Sequence, residues 1–148
     1  MSVHRWPVGG GLPDCALIQA RYLPDGWRVL VCCVLLNLTR RAQMEKLLDG
    51  LFERYPDASA MAVASQVDLA SMLRPLGLYN RRAQTLIKLS SWWLTNDHDD
   101  VSKCPGVGKY ARDAYALLVQ RRWREVEPDD HALNDFMAEI REHVNASG

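Results

Sequence analysis

A glycine-rich turn and a pair of acidic residues give this sequence its clearest chemistry. Residues 104–110 read Cys-Pro-Gly-Val-Gly-Lys-Tyr, and residues 127–131 read Glu-Pro-Asp-Asp-His. Gly106 and Gly108 allow a sharp backbone turn into a helix, which leaves N–H groups at the helix N-terminus available to an anion such as phosphate. Asp129 and Asp130 precede another amphipathic stretch. The sequence therefore pairs an anion site with carboxylates that can act near it.

Composition limits the classes of protein to consider. The chain has 148 residues, 48% hydrophobic and 24% charged, which predicts one soluble globular domain. The longest apolar run, Val29 to Leu36, is much shorter than the ~20 residues of a membrane helix. No signal-peptide core precedes it, so we expect an intracellular protein. The four cysteines lack a metal-ligand spacing and are expected to be reduced packing residues, with no metal site.

The charge is unevenly distributed although the formal net charge is zero. From Arg74 to Arg124 the chain has ten Lys or Arg residues against four acids, so this half carries the excess of positive charge. It also contains the glycine turn. A basic region is what a nucleic-acid partner requires, although a solvated helical face produces a weaker version of the same asymmetry.

Hydrophobic periodicity predicts an all-α fold. Apolar residues recur at helical spacing along most of the chain, and the run Val29 to Leu36 is interpreted as a buried central helix. Breaks are expected at residues 55–57, 74–77, 96–100 and 127–128. The helical stripes comprise Met44, Leu47, Leu48, Leu51 and Phe52; Ala83, Leu86, Ile87, Ser90 and Leu94; Ala111, Ala114, Tyr115 and Leu118; and Leu133, Phe136, Met137, Ile140 and Val144.

Four ordered motifs resemble the helix-hairpin-helix (HhH-GPD) superfamily of base-excision DNA glycosylases. They are residues 34–37 (Val-Leu-Leu-Asn), 77–83 (Gly-Leu-Tyr-Asn-Arg-Arg-Ala), 105–108 (Pro-Gly-Val-Gly), and the Asp before the last amphipathic helix. The resemblance covers roughly residues 25–144. It implies a compact helical glycosylase domain over residues 23–148. Residues 1–22 carry no motif and are either a loosely ordered N-terminal extension or a segment that packs on the domain through Trp6.

Within the superfamily, the motifs most resemble the mismatch-specific thymine/uracil glycosylases that include the domain of a vertebrate methyl-CpG-binding protein. Residues 74–79, 108–110 and 126–134 carry this likeness. It implies a domain without an iron–sulfur cluster and with no required cofactor, apart from an optional monovalent cation where the hairpin meets a phosphate. It also implies a monomer whose partner is double-stranded DNA and not a membrane.

The resemblance implies a catalytic aspartate at the start of the helix that follows the hairpin. Its register selects Asp130, which directly precedes His131 and lies three residues before Leu133. Asp129 is the alternative. Both could instead be ordinary N-cap residues after Pro128, because Asp is common at that position. His131 is expected to be a surface or pocket residue and not a metal ligand.

Tyr110 occupies the position where bifunctional members of the superfamily carry a lysine that forms a Schiff base with the sugar. Tyrosine cannot form that adduct, so the resemblance implies a glycosylase without strand cleavage. Tyr110 is assigned to the base pocket together with Asn37 and Leu36. The alternative is a core tyrosine with a satisfied hydroxyl group.

The remaining assignments concern DNA contacts. Leu78 matches the apolar wedge that enters the base stack, and its alternative is a hydrophobic contact onto the following helix. Leu38 stands where the resembled glycosylases have a gap-filling arginine, so that function falls to Asn37, Thr39 or Arg40. The DNA-binding set is Gly106, Val107, Gly108, Lys109, Leu78, Thr39, Arg40 and Arg82.

Three functions fit these residues. The leading one is a monofunctional glycosylase that removes thymine or uracil opposite guanine from duplex DNA after flipping the nucleotide. The second is a noncatalytic helix-hairpin-helix DNA-binding module. The third is an enzyme of related fold that modifies thymine bases in DNA by group transfer.

Overall fold

A computed structural model of the chain describes residues 17–36 and 41–147, and throughout these residues the regular secondary structure is helical. This confirms the predicted all-α class. A 3-10 helix at Ile18–Tyr22 comes first. A second 3-10 helix, at Arg74–Leu76, lies just before the first of the two helices that the glycine hairpin joins. The α-helices are α1 (Gly26–Leu35), α2 (Arg41–Arg54), α3 (Ala58–Ala62), α4 (Gln66–Leu73), α5 (Tyr79–Thr95), α6 (Lys109–Leu118) and α7 (His131–Ser147).

Helix α1 is the central helix that the apolar run predicted. It begins where the Asp25 carboxylate accepts the Arg28 backbone N–H at 3.1 Å, an N-cap bond that satisfies one of the free donors at the helix start. Nearly the whole helix is buried, as expected for a helix that is apolar on all sides. The Trp27 indole also donates to Ser90 Oγ at 3.0 Å, which ties α1 to α5 inside the core.

Two apolar clusters share α1. The first joins α1 to α2, α3, α4 and α5. The second joins the opposite side of α1, through Val29 and Cys33, to α6 and α7. The hairpin between α5 and α6 thus connects an element of one cluster to an element of the other, and α1 lies between them.

Helices α3 and α4 were not anticipated as separate elements. Each is short, so hydrophobic periodicity has little length over which to appear. Their N-caps are clear: the Asp57 side chain accepts from Ala60 N at 2.8 Å, and the Ser65 hydroxyl accepts from Asp68 N at 3.4 Å. These caps are the sequence signals that could have located both helices.

The described part of the expected N-terminal extension is packed and not loose. Leu17, Ile18 and Gln19 are 7%, 5% and 1% exposed, because the 3-10 helix lays its apolar side chains against α1. Residues 1–16 lie outside the described part of the chain. In the described ranges, no helix combines the length and the apolar character needed to cross a membrane.

Candidate active site at the glycine hairpin

Two consecutive turns form the hairpin between α5 and α6. Cys104 N donates to the Val101 carbonyl, and Val107 N donates to the Cys104 carbonyl, each at 3.1 Å. Gly106 has φ +82°, a left-handed conformation that disfavours side chains. A Cβ atom there would lie 2.5 Å from Thr85 Cγ2 of α5. The hairpin backbone is therefore in direct contact with α5, and glycine is required at position 106.

Gly108 is the N-cap of α6 and leaves the start of that helix open. It has extended backbone (φ −100°), is exposed, and provides no side-chain cap for the first-turn N–H groups. Free N–H groups at a helix N-terminus attract an anion through geometry and through the helix dipole. The start of α6 is therefore open to an anion, and phosphate binding at Gly106-Val107-Gly108 stays a prediction.

Tyr110 lies in the first turn of α6, half-buried against the second apolar cluster. Its hydroxyl oxygen accepts a 2.7 Å hydrogen bond from Gln19 Nε2, and Gln19 is itself only 1% exposed. Burial raises the pKa of Tyr110 well above its ordinary value, and the Asp130 carboxylate acts in the same direction. Tyr110 is therefore a neutral phenol. Since its oxygen accepts from Gln19, its proton takes no part in that hydrogen bond.

Gln19 is a site residue that sequence reasoning missed. It is 91 residues away from Tyr110 in the chain. Its one signal is that it follows the apolar pair Leu17-Ile18, where a buried amide must find a partner. The sequence does not indicate which partner that is.

Asp130 is the N-cap residue of α7. Its Oδ2 accepts from Leu133 N at 3.0 Å, and its backbone carbonyl accepts from Asn134 N at 3.1 Å. The side-chain amide of Asn134 also donates to the carbonyl of Pro128 at 2.8 Å, which anchors the chain before the cap. The capping role considered from the sequence is thus present, and only one carboxylate oxygen is used for it.

Asp129 differs from its neighbour. Its side chain is 84% exposed, and Oδ2 lies 3.7 Å from Lys109 Nζ. Lys109 Nζ also lies 2.6 Å from Asp113 Oδ2 and donates to the Glu127 carbonyl at 3.0 Å. The hydrogen bond to Asp113, followed by the charges of Asp113 and Asp129, raises the pKa of Lys109. Lys109 therefore connects α6 to the segment that leads to Asp130.

Leu78 and Arg82 lie at the start of α5. Leu78 has φ +48° and is 68% exposed, so it is not the buried contact considered as its alternative. Arg82 Nη1 donates to the Leu35 carbonyl at 3.2 Å and thereby caps the C-terminal end of α1. Leu36 follows directly and is half-buried against the first cluster.

The other predicted site residues are less informative. Asn37, Thr39 and Arg40 lie outside the described residues. His131 is 94% exposed at the side chain and lies 3.4 Å from Asp135. Among the described residues, no group of three or more His, Cys, Asp or Glu side chains is arranged to hold a metal ion. The structure brings together the hairpin, Tyr110 and the Asp129-Asp130 segment, and it places Leu78 at the other end of α5 from the hairpin loop.

Comparison with known proteins gives a consistent family signal. A family model described as HhH-GPD superfamily base excision DNA repair protein matches residues 31–143. Methyl-CpG-binding domain protein 4-like protein of Arabidopsis thaliana is 37% identical over 127 residues, which cover 86% of this chain and 28% of that protein. Thymine/uracil-DNA glycosylase of Pyrobaculum aerophilum is 34% identical over 102 residues, 64% of this chain and 44% of that protein. The chain spans less than half the length of these two relatives.

Solved structures show the same fold. A thermostable thymine-DNA glycosylase has a TM-score of 0.62 at 24% identity, over 72% of this chain and 51% of that one. Endonuclease III in a non-covalent complex with DNA has a TM-score of 0.56 at 23% identity, over 82% of this chain and 72% of that one.

Proposed function

The chain belongs to the HhH-GPD superfamily of base excision DNA repair proteins, and from that membership we propose that it is a DNA glycosylase. Its substrate is a mispaired or modified pyrimidine, thymine or uracil opposite guanine, in duplex DNA. Support for this substrate class comes from relatives named for thymine and uracil glycosylase activity. The enzyme acts as an intracellular monomer and requires no cofactor.

The position of Asp130 carries this proposal. The carboxylate is held at the start of α7 by Leu133 N, and the contacts of Lys109 with Glu127 and Asp129 join its segment to α6, the helix that carries Tyr110. Loss of a base gives the sugar oxocarbenium character, and a fixed carboxylate stabilises that positive charge and orients the attacking water. Bound at the N-cap, Asp130 loses little freedom when the substrate arrives. Asp129, which is exposed and paired with Lys109, is the weaker candidate.

The hairpin and Leu78 supply the DNA contacts of the proposed mechanism. A phosphate binds the open N–H groups at Gly108, and the exposed Leu78 enters the base stack next to the target. Extrusion of the nucleotide costs a few kcal/mol and less at a mismatch, which contributes to selectivity. The flipped base then lies against Tyr110, whose hydroxyl can donate to a carbonyl oxygen of the base while Gln19 occupies its acceptor side.

Tyr110 supports a reaction that stops at the abasic site. A strand-cleaving mechanism through a Schiff base needs an amine at the sugar. The neighbouring Lys109 is engaged by Asp113 and by the Glu127 carbonyl. Water is therefore the proposed nucleophile, and the phosphodiester backbone remains intact until alkali is added.

The proposal is tested with duplexes that carry thymine, uracil or an oxidised pyrimidine opposite each normal base. Wild-type protein should release thymine or uracil opposite guanine and produce alkali-labile strands. Asp130→Asn should lower the rate of base release by about a thousandfold or more, because it removes the main electrostatic stabilisation of the positively charged sugar. DNA binding should remain. Asp129→Asn should lower the rate far less than Asp130→Asn does, which separates the two candidate carboxylates.

Other outcomes would favour the other two functions. If the wild-type protein binds the duplexes but releases no base from any of them, it is a noncatalytic DNA-binding module. A change in the mass of the DNA without abasic sites would indicate group transfer. Strand breaks without alkali would contradict the role proposed for Tyr110.

A further inference from the structure

The Lys109 side chain makes contacts that have no direct part in the reaction proposed for Asp130 and Tyr110. Its ammonium group lies 2.6 Å from Asp113 Oδ2 on its own helix, 3.0 Å from the Glu127 carbonyl oxygen and 3.7 Å from Asp129 Oδ2. The last two partners belong to the segment that ends at Asp130. The first two contacts are hydrogen bonds, and the third is an ion pair beyond hydrogen-bond distance.

These contacts leave Lys109 poorly placed to bind a phosphate. Two carboxylates already neutralise its charge, and the Asp113 side chain is only 15% exposed, so that contact is partly shielded from solvent and salt. A DNA phosphate at this ammonium group would be repelled by both carboxylates. The same contacts suit a residue that holds two elements together.

We propose that Lys109 is a positioning residue that holds the Glu127–Asp129 segment against α6 and so fixes the place of Asp130 beside Tyr110. This role rests on the proposed function for its consequence, since Asp130 is the proposed catalytic carboxylate. The hairpin helix then sets the carboxylate position directly: Tyr110 and Lys109 are consecutive residues, and one lines the base pocket while the other orients the catalytic segment.

Asp113→Asn is the sharpest test because it separates the two possible roles of Lys109. Asp113 lies on the same helix as Lys109 and holds its ammonium group in place, so removing its charge should let the Lys109 side chain leave the Glu127–Asp129 segment. The single-turnover rate of base release at saturating DNA should then fall about tenfold to a hundredfold, as misplacement of a reacting group does. If Lys109 instead binds phosphate, the same change frees the ammonium group, and DNA binding should tighten with an unchanged rate. Asp135→Asn, which removes a carboxylate from the first turns of α7, is the matched control and should alter neither.

Lys109→Met and Lys109→Arg complete the kinetic test. Methionine should lower the rate without changing the dependence of DNA affinity on salt, whereas loss of a phosphate contact would reduce the salt slope by about one. Arginine keeps the charge and several donors, so it should restore most of the rate.

Amide hydrogen exchange without DNA tests the positioning independently of activity. The Leu133 amide, which is bonded to Asp130, should exchange about tenfold faster in Lys109→Met and in Asp113→Asn, because the segment before it is released. The Arg82 amide, bonded to the Leu78 carbonyl in α5, should be unchanged and so reports that the fold is intact.

The outcomes separate this inference from the proposed function. If the Leu133 amide exchanges faster in both variants and the wild-type protein releases no base, the glycosylase function is refuted and the positioning role remains. Unchanged exchange and unchanged rates in Asp113→Asn, together with a smaller salt slope in Lys109→Met, would overturn the positioning role.

Discussion

At the scale of single residues, the Gln19–Tyr110 hydrogen bond orients a half-buried tyrosine hydroxyl. Gln19 is fully buried and donates to the tyrosine oxygen at 2.7 Å. A buried amide without a partner costs about 1–3 kcal/mol, so the pair is bound together energetically as well as geometrically. In the proposed base pocket, the tyrosine proton is available to a carbonyl oxygen of the flipped base.

Tyr110→Phe should therefore lower stability although the ring remains. Loss of the hydroxyl leaves the Gln19 amide unpaired, and the free energy of unfolding in urea should fall by about 1–3 kcal/mol. Gln19→Leu removes the orphaned group, so adding it to Tyr110→Phe should recover part of that loss. Additive effects of the two substitutions would show that the hydrogen bond contributes nothing.

At the scale of elements, hydrophobic periodicity predicted the long helices. It missed the short helices and the contacts between residues that are distant in the chain. The stripes located α2, α5, α6 and α7, and the apolar run located α1, because long amphipathic or fully apolar helices have enough turns to show their period. The short α3 and α4 escaped because they do not. The resemblance implied Asp130 as the catalytic residue at the start of a helix, and the structure places it at the N-cap of α7. The packed segment at residues 17–22 and the Lys109 contacts depend on tertiary structure, which local patterns do not contain.

Gly106→Ala should damage the hairpin. The added Cβ would meet Thr85 Cγ2 at 2.5 Å, and the threonine is β-branched and cannot easily turn away. This clash and the φ of +82° should together lower the free energy of unfolding by more than about 1–2 kcal/mol. Adding Thr85→Ser removes the methyl group and should recover the steric part alone. A thermal or urea unfolding curve that matches wild type would contradict the observed close contact.

Gly108→Ser should have the opposite effect on stability. This position has extended backbone and open space around its Cβ, so a serine side chain fits and can cap α6. Unfolding free energy should rise by a few tenths of a kcal/mol, about the difference between Ser and Gly at an N-cap. The same hydroxyl would occupy N–H groups assigned to phosphate, so DNA affinity should fall. Higher stability with unchanged affinity would argue against a phosphate at this helix end.

At the scale of the whole molecule, burial of ionisable groups in both apolar clusters makes the fold sensitive to alkali. Burial raises the pKa of the Cys33 thiol in the second cluster from 9.0 to about 12. It raises the pKa of Cys104 and of Tyr115, in the first cluster, to about 12 as well. Each group keeps its proton in the folded state at a pH where the unfolded chain has lost it.

The free energy of unfolding should therefore decline as pH rises from about 9 toward 12. In that window the unfolded chain binds fewer protons than the folded one, and each such group contributes a slope of about 1.4 kcal/mol per pH unit. Cys33→Ala should remove the contribution of one titrating group from this slope. The change in slope does not depend on how much stability the substitution loses through poorer packing. Urea unfolding at several pH values measures this, and an identical slope in both proteins would contradict the effect of burial on Cys33.

The contact between Gly106 and Thr85 also fixes a length. Leu78 begins the helix that contains Thr85, and seven residues of helix rise about 10 Å. Because the hairpin backbone contacts Thr85 in the middle of α5 and the exposed Leu78 directly precedes that helix, the proposed phosphate site and the proposed wedge lie on one helix. Their spacing is therefore set by the helix itself and should stay the same when DNA binds.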